Sequence, residues 1–390
     1  RDAQIVNAVR SGELDEEVLD QVVLRLLEMA AKKPINPNQR KGYDVEAHDA
    51  LARKALCESA VLLKNEDVLP LGVQTSIAVI GDFARTPRYQ GAGSSKIKPH
   101  KVTCALEELD KRGISYDYAR GYDLKHQTDP EELITRALEA ASGKESVLIF
   151  AGLPDEYESE GFDRTHLNLP VEQNDLIISL AAVNPNVVVV LHAGSAVRLP
   201  WLEQVKGVLL LGLGGQCVGP AAVDLLYGNV NPSGKLTETY PFELQDTPAF
   251  LQFGKRFTTE YREGIYVGYR YYEKAKKNVR FPFGFGLSYT TFDYSDLKLS
   301  AVRIGEEETL TISLKVRNTG DFAGKEAVQV YVAPPPSSIF KPEKELREFG
   351  KVFLQAGEEQ EFIFTLGKRA FAYWNVTLND WHVESGTYRI

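Results

Sequence analysis

From residue 77 the chain alternates short apolar runs with amphipathic ones. IAVIG (77–81), ISYDY (114–118), SVLIFAG (146–152), VVVVLHAG (187–194) and GVLLLGLG (207–214) read as strands. Between them HKVTCALEELDKRG, DPEELITRALEAASG, VEQNDLIISLAAVNP and VGPAAVDLLYGN repeat apolar residues at helical spacing. Short buried strands alternating with helices predict an α/β fold, a mostly parallel sheet sandwiched by helices. Ligand sites in such sheets lie in the loops at the C-terminal ends of the strands. Upstream, residues 1–34 read as helical, with Ser11 as N-cap of SGELDEEVLDQVVLRLLEMAAKK. PINPNQRKGYD reads as a linker, and VEAHDALARKALCESAVLLKN as a second helix with an extended exit.

Beyond about residue 235 the pattern changes. KLTETYPFELQDTPAF through FPFGFGLSYTTF (281–292) is aromatic and polar with few helix signals, an ordered connector. From Asp293, YSDLKLSAV, ETLTISLKVRN, EAVQVYVAP, REFGKVFLQ, EQEFIFTLG and FAYWNV read as short strands, separated by turns such as NTGDFAG and QAGEEQ. That pattern predicts a β-sandwich.

A chain of 390 residues leaves room for two or three domains of roughly 100–200 residues each. The net charge of −9 argues against a nucleic-acid partner. No apolar stretch approaches the ~20 residues of a membrane span; the greasiest, VKGVLLLGLG (205–214), is short and Gly-rich. Cys57, Cys104 and Cys217 are odd in number and widely spaced. They form neither a disulfide framework nor a zinc pattern, which makes a cytoplasmic home the expectation. The chain starts without Met in helical character and stops at GTYRI in strand character, as a fragment of a longer polypeptide would.

The strongest chemical candidate is EYESEGFDRTHLNLP (156–170), directly after the apolar run 146–152. Carboxylates at that end of a strand are placed for catalysis, and two acids close together raise one pKa, as a general acid requires. Gly161 permits a tight turn that projects Glu160, and Asp163 can pair with Arg164. The plainer alternative is a solvated acidic loop with a surface ion pair. GDFARTPRYQGAGSSKIKP (81–99) is Gly-rich but matches no phosphate-loop pattern. A polar loop touching a hydroxylated ligand through Arg85, Arg88, Gln90, Ser94 and Ser95 stays open. His166 and His192 fit structural roles better than a base, since AGSAV (193–197) makes no nucleophile elbow. Cys217 reads as a small buried residue, and Glu260, Arg262 and Glu263 as structural anchors among tyrosines.

Taken in order, these stretches resemble glycoside hydrolase family 3 of β-glucosidase type. The resemblance rests on ESAVLLKNEDVLPL (58–71), IAVIGDFARTPRYQGAGSSKIKP (77–99), ESEGFDRTHLNLPVEQNDLI (158–177), VNPNVVVVLHAGSAVRLPW (183–201) and GQCVGPAAVDLLYGNVNPSGKLTETYP (215–241). It continues in YREGIYVGYRYYE (261–273) and FPFGFGLSYTTFDYS (281–295), while VRNTGDFAGKEAVQVYV (316–332) resembles the start of a fibronectin type III-like domain.

The resemblance implies an exo-acting retaining β-glucosidase without cofactor or metal. Such an enzyme works with two carboxyl groups about 5–5.5 Å apart. In the family's E-G-x-D-R motif Glu160 is the implied acid/base, with Glu158 the rival two residues upstream. Asp163, Arg164, Phe162 and the unchosen glutamate are implied supports, and Arg88, Gln90, Ser94 and Ser95 substrate contacts. The nucleophile belongs to a (β/α)8 barrel that this chain is expected to lack, so its isolated activity is expected to be poor or absent.

The domains then read as 1–44, the end of the barrel and a linker; 45–240, the α/β domain; 241–292, the connector; and 293–390, a truncated fibronectin type III-like β-sandwich. The implied partners are a β-linked oligosaccharide or glucoside and the barrel, with a homodimer as a consequence of exposed apolar surface. Two departures stand out: Phe285 replaces the family's His in FPFGHGLSY, and Asn379-Asp380-Trp381 imitates the nucleophile motif inside a β-hairpin, where it reads as structural. The alternatives are a non-catalytic scaffold and a β-xylosidase-type specificity.

Overall fold

The computed structural model describes residues 2–32, 42–254, 257–337 and 339–390. It divides into two compact units, one ending at His48 and the other beginning at Asp49. Among the described residues no helix is long and apolar enough to cross a membrane.

In the first unit, α1 (Asp2–Arg10) and α2 (Glu16–Ala31) are separated by a turn. Ser11 does not cap the second helix. Its hydroxyl donates to the Ala8 carbonyl, while Asp15 accepts the Glu17 amide and serves as N-cap. The apolar stripe Val18, Val22, Leu26 and Met29 is exposed. α3 (Val45–Ser59) starts at the end of this unit and runs into the next.

The second unit opens with β1 (Val61–Asn65), β2 (Ile77–Ile80), α4 (Ala105–Lys111), β3 (Tyr116–Ala119) and α5 (Pro130–Ala141). It continues through β4 (Ser146–Gly152), α6 (Val171–Val183), β5 (Val187–His192), β6 (Gly207–Leu210) and α7 (Val218–Leu226). The strands form one six-stranded sheet in the order β1-β6-β5-β4-β2-β3, parallel except for β1, which pairs antiparallel with β6. Every residue of β4 and β5 is buried, which accounts for their unbroken apolar sequences.

β1 sharpens the sequence reading, which made VLLKN the extended exit of a helix: its first three residues are buried, and it pairs with β6 as the sheet's edge strand. Helix starts are marked by side chains: Asp129 accepts the Glu131 amide before Pro130 of α5, and Cys104 with Glu107 forms a capping box on α4.

A connector with the short helix α8 (Tyr269–Lys274) leads to β7 (Phe292–Leu299), β8 (Leu310–Asn318), β9 (Gly324–Val332), β10 (Glu345–Leu354) and β11 (Glu359–Leu366). Sheet β11-β8-β7 and sheet β10-β9 share a core of alternating residues such as Leu310, Ile312, Leu314 and Val316 on β8 and Val328, Val330 and Val332 on β9. Each such side chain contributes about 1.5–3 kcal/mol by burial. After α9 (Lys368–Phe371), a small hairpin pairs β12 (Tyr373–Asn375) with β13 (Asp380–His382). Asn379 turns it at φ 51, and Asp380 and Trp381 lie within it. Phe285 packs beside Phe281, 5.0 Å between ring centres, in the core of the sheet domain.

Candidate active site

The sheet order places a crevice where chemistry is expected. The chain leaves β2 toward β3 on one side, then crosses to β4 on the other. Loops leaving the C-terminal ends of β2 and β4 therefore diverge around a switch point. They are residues 81–99 and 153–165, the two stretches singled out from sequence.

Side chains stitch these loops together. Buried Arg88 donates to Asp155 Oδ1 at 2.6 Å, to the Glu158 carbonyl at 3.1 Å, and to the Gln90 carbonyl. Lys96 holds the other Asp155 oxygen at 2.8 Å. Gln90 braces its own loop, donating to the Ile97 carbonyl and accepting the Ile97 amide. Across the crevice the Ser94 amide donates to Glu160 Oε2 at 2.8 Å, and the Ser94 hydroxyl donates to the same oxygen. Gly93 allows this approach: its φ is +78°, and a Cβ there would lie 2.6 Å from Glu160 Cβ.

The third contributor is the turn after β5, beside β4 in the sheet. The Gly194 amide and the Ser195 hydroxyl donate to the two oxygens of Glu158, at 3.0 and 2.5 Å. Arg164 donates to Ser195 Oγ at 3.2 Å and to the Ala196 carbonyl at 2.7 Å. It thus takes the β5 turn as partner rather than the Asp163 expected from sequence, because Asp163 is exposed where Arg164 is turned inward.

Glu158 and Glu160 end in different settings. Glu158 is half-buried with both oxygens occupied by the 194–195 turn, whereas Glu160 is exposed and bonded only at Oε2 among the described contacts. The expected rise of one carboxyl pKa is not seen at Glu160. The Ser94 hydroxyl and then the Ser94 amide favour its carboxylate and lower its pKa. Glu238 shows the rise instead: burial pushes its carboxyl up, against the lowering pull of Arg164. Glu238 is exposed to water, but it sits in concave surface, lining cavities of about 840 and 520 Å³, and the atoms crowded around it account for the desolvation. Burial also lowers the Arg164 pKa.

The remaining candidates stay outside this cluster. Arg85 lies over the Tyr118 ring, Ser95 bonds the Ala92 carbonyl, and Phe162 is exposed beside Glu160 in sequence. His192 is buried, its Nδ1 bonded to the Arg88 carbonyl at 3.1 Å, and burial lowers its pKa to about 4. Exposed His166 packs edge-on to Tyr157. Cys217, buried at the start of α7, donates to Asp49 Oδ1 at 3.0 Å, while Arg262 pairs with Glu260 on an exposed stretch rather than among packed tyrosines. No metal-binding group of three or more His, Cys, Asp or Glu occurs among the described residues.

Residues 60–289 match the glycosyl hydrolase family 3 C-terminal domain, and residues 326–390 match the fibronectin type III-like domain. The chain belongs to glycoside hydrolase family 3. Within the family it is 50% identical over its whole length to thermostable beta-glucosidase B of Acetivibrio thermocellus, covering 52% of that protein. It is 44% identical, again over its whole length, to an exo-alpha-(1->6)-L-arabinopyranosidase of Bifidobacterium breve, covering 53% of it. The crystal structure of a family 3 beta-glucosidase from Bifidobacterium adolescentis superposes with a TM-score of 0.90 at 44% identity, across 99% of this chain and 57% of that one. The chain thus matches the C-terminal part of family 3 enzymes and spans about half the length of the relatives it matches.

Proposed function

We propose that this chain is the acid/base half of a retaining, exo-acting β-glucosidase. Glu160 protonates the departing glycosidic oxygen and then deprotonates the attacking water. The observation that supports this reading best is the held but open carboxyl of Glu160, fixed at one oxygen by Ser94 and exposed beyond it. Glu158 makes the worse acid, since neither of its oxygens is spare. The role of Glu158, with Arg88, Arg164 and Ser195, is to hold the loop. Asp163 and Phe162 border the same loop, and Ser95 and Gln90 shape the facing one.

The lowered pKa of Glu160 suits the second step, in which a carboxylate takes a proton from water. The first step needs the acid form. A bound sugar that excludes water and a second carboxylate about 5–5.5 Å away both raise that pKa. In this reading the second carboxylate, the nucleophile, comes from a barrel outside these residues, and the domain boundaries are those expected from sequence. The arabinopyranosidase relative supports a second specificity, a pentopyranose in place of glucose.

The test is azide rescue in the enzyme that contains both halves. Glu160→Ala is expected to lose turnover of poor leaving groups and, with azide, to release β-glucosyl azide. Wild-type turnover in that variant, or azide product from Glu158→Ala instead, would overturn the assignment. A non-catalytic scaffold would be insensitive to both changes.

A further inference from the structure

β9 and β10 turn a cluster of charges toward the end of α3. In their register Lys325 lies opposite Phe353 and Lys351 opposite Ala327, so the two lysines are diagonal neighbours on one face of the ladder. Both reach Glu58, in the last turn of α3. Lys325 pairs with its carboxylate, and Lys351 donates to its backbone carbonyl at 2.8 Å. Nearby, Lys235 is held by Glu326 at 3.2 Å and by the Gly286 carbonyl at 2.7 Å. The Tyr294 hydroxyl donates to the other Glu326 oxygen at 2.9 Å.

The charges here do not balance. Three amines face two carboxylates, and Lys325 and Lys235 have taken both, which leaves Lys351 without a carboxylate partner among the described residues. Lys64, Lys96, Lys277 and Lys344, by contrast, are each held by a carboxylate. Lys351 keeps an exposed side and lines the cavity of about 840 Å³, whose walls include Leu56, Val61, Leu346 and Phe349. Desolvation against such walls lowers its pKa most, and the cations Lys325 and Lys235 add to the lowering; Glu58 and Glu326 oppose it without cancelling it.

An amine is a nucleophile only once it has lost its proton, and an apolar wall or a neighbouring cation raises that fraction near neutral pH. We propose that Lys351 is a modification site, a nucleophilic amine that takes acyl groups from small acyl phosphates. Its nitrogen lone pair attacks the acyl carbon. An N–C bond forms as the C–O bond to phosphate breaks, phosphate leaves with that electron pair, and the extra proton on nitrogen passes to water. The product amide is neutral, so the surplus charge disappears, and the acyl group has the cavity to occupy. The site stands whichever carboxyl proves to be the acid/base.

The test is partial acylation of the folded 390-residue chain with acetyl phosphate near neutral pH. Denaturation, complete labelling with isotopically heavy acetic anhydride and peptide mass analysis then give the fraction of light acetyl at each lysine. Lys351 is expected to exceed the median lysine about threefold or more, and the excess to vanish when the first labelling is done in urea. Lys325→Met removes a neighbouring cation and frees the Glu58 carboxylate for Lys351. In that variant, with circular dichroism confirming the fold, the excess is expected to fall to the median. A wild-type Lys351 no more reactive than the median lysine, an excess that survives in urea, or one unchanged in folded Lys325→Met would overturn the site. The comparison of folded and unfolded wild type decides the matter even where the variant does not fold.

Discussion

At the scale of single residues the account turns on which oxygens are occupied. Ser94→Ala removes the first cause of the lowered Glu160 pKa, so the variant carboxyl is expected to titrate at higher pH. Carbon-13 NMR of the Glu160 carboxyl measures this directly, and an unchanged midpoint would contradict the Ser94 contact. Gly93→Ala forces a Cβ onto Glu160 at a positive φ. It is expected to release that carboxyl in the same NMR titration and to lower the melting temperature modestly, since alanine at a positive φ costs about 1 kcal/mol.

His192 gives a prediction for stability. Its folded pKa, about 4, lies below its ordinary value of 6.5. The neutral form therefore favours the fold above pH 6.5, and that contribution is lost as pH falls toward 4, amounting to about 3 kcal/mol. Urea midpoints are expected to drop through that window, and a flat profile would contradict the burial of a neutral imidazole. Glu160 stood out in the sequence because its motif gathers several charges after an apolar strand. Ser195 and Glu238 did not, since neither belongs to a cluster of charges and the tertiary neighbours of each come from distant parts of the chain. The adjacency of β5 to β4 was the signal available for Ser195.

At the scale of elements the cross-links are ionic. Buried Asp224 on α7 accepts from Arg53 on α3 at 2.6 Å and from Arg112, just past α4, at 2.9 Å. Burial raises the Asp224 pKa, but the two arginines outweigh it and hold the carboxyl below its ordinary value. Asp224→Ala leaves both cations without this partner. Breaking a buried pair costs about 3–5 kcal/mol, and partial exposure of Arg53 reduces that to about 2–3 kcal/mol. Thermal melts are expected to show it, and a loss below about 0.5 kcal/mol would make the network ornamental. Most elements were legible because β4 and β5 are unbroken apolar runs and α5 is amphipathic, with Asp129 and Pro130 marking its start. The place of β1 in the sheet was not: its pairing with β6 is a contact some 145 residues away in sequence.

At the scale of the whole molecule the decisive fact is exposed apolar surface on a chain that spans half of its relatives. Leu251, Phe253, Phe257, Tyr261, Ile265 and Val267 are all more than half exposed within one stretch of the connector. Where such residues form a contiguous patch, the surface is an interaction face. On the reading proposed above, the isolated chain is expected to self-associate in light scattering and to become monodisperse when the barrel half is supplied; a clean monomer alone would count against docking there. The central claim, that Glu160 is the acid/base, is met most directly by kinetics of Glu160→Gln in the complete enzyme across aryl β-glucosides of graded leaving-group pKa. The account predicts a loss in kcat/KM of about 10²–10⁴-fold for the poorest leaving groups, shrinking steadily toward the best. A loss equal for all leaving groups, or none, would contradict it.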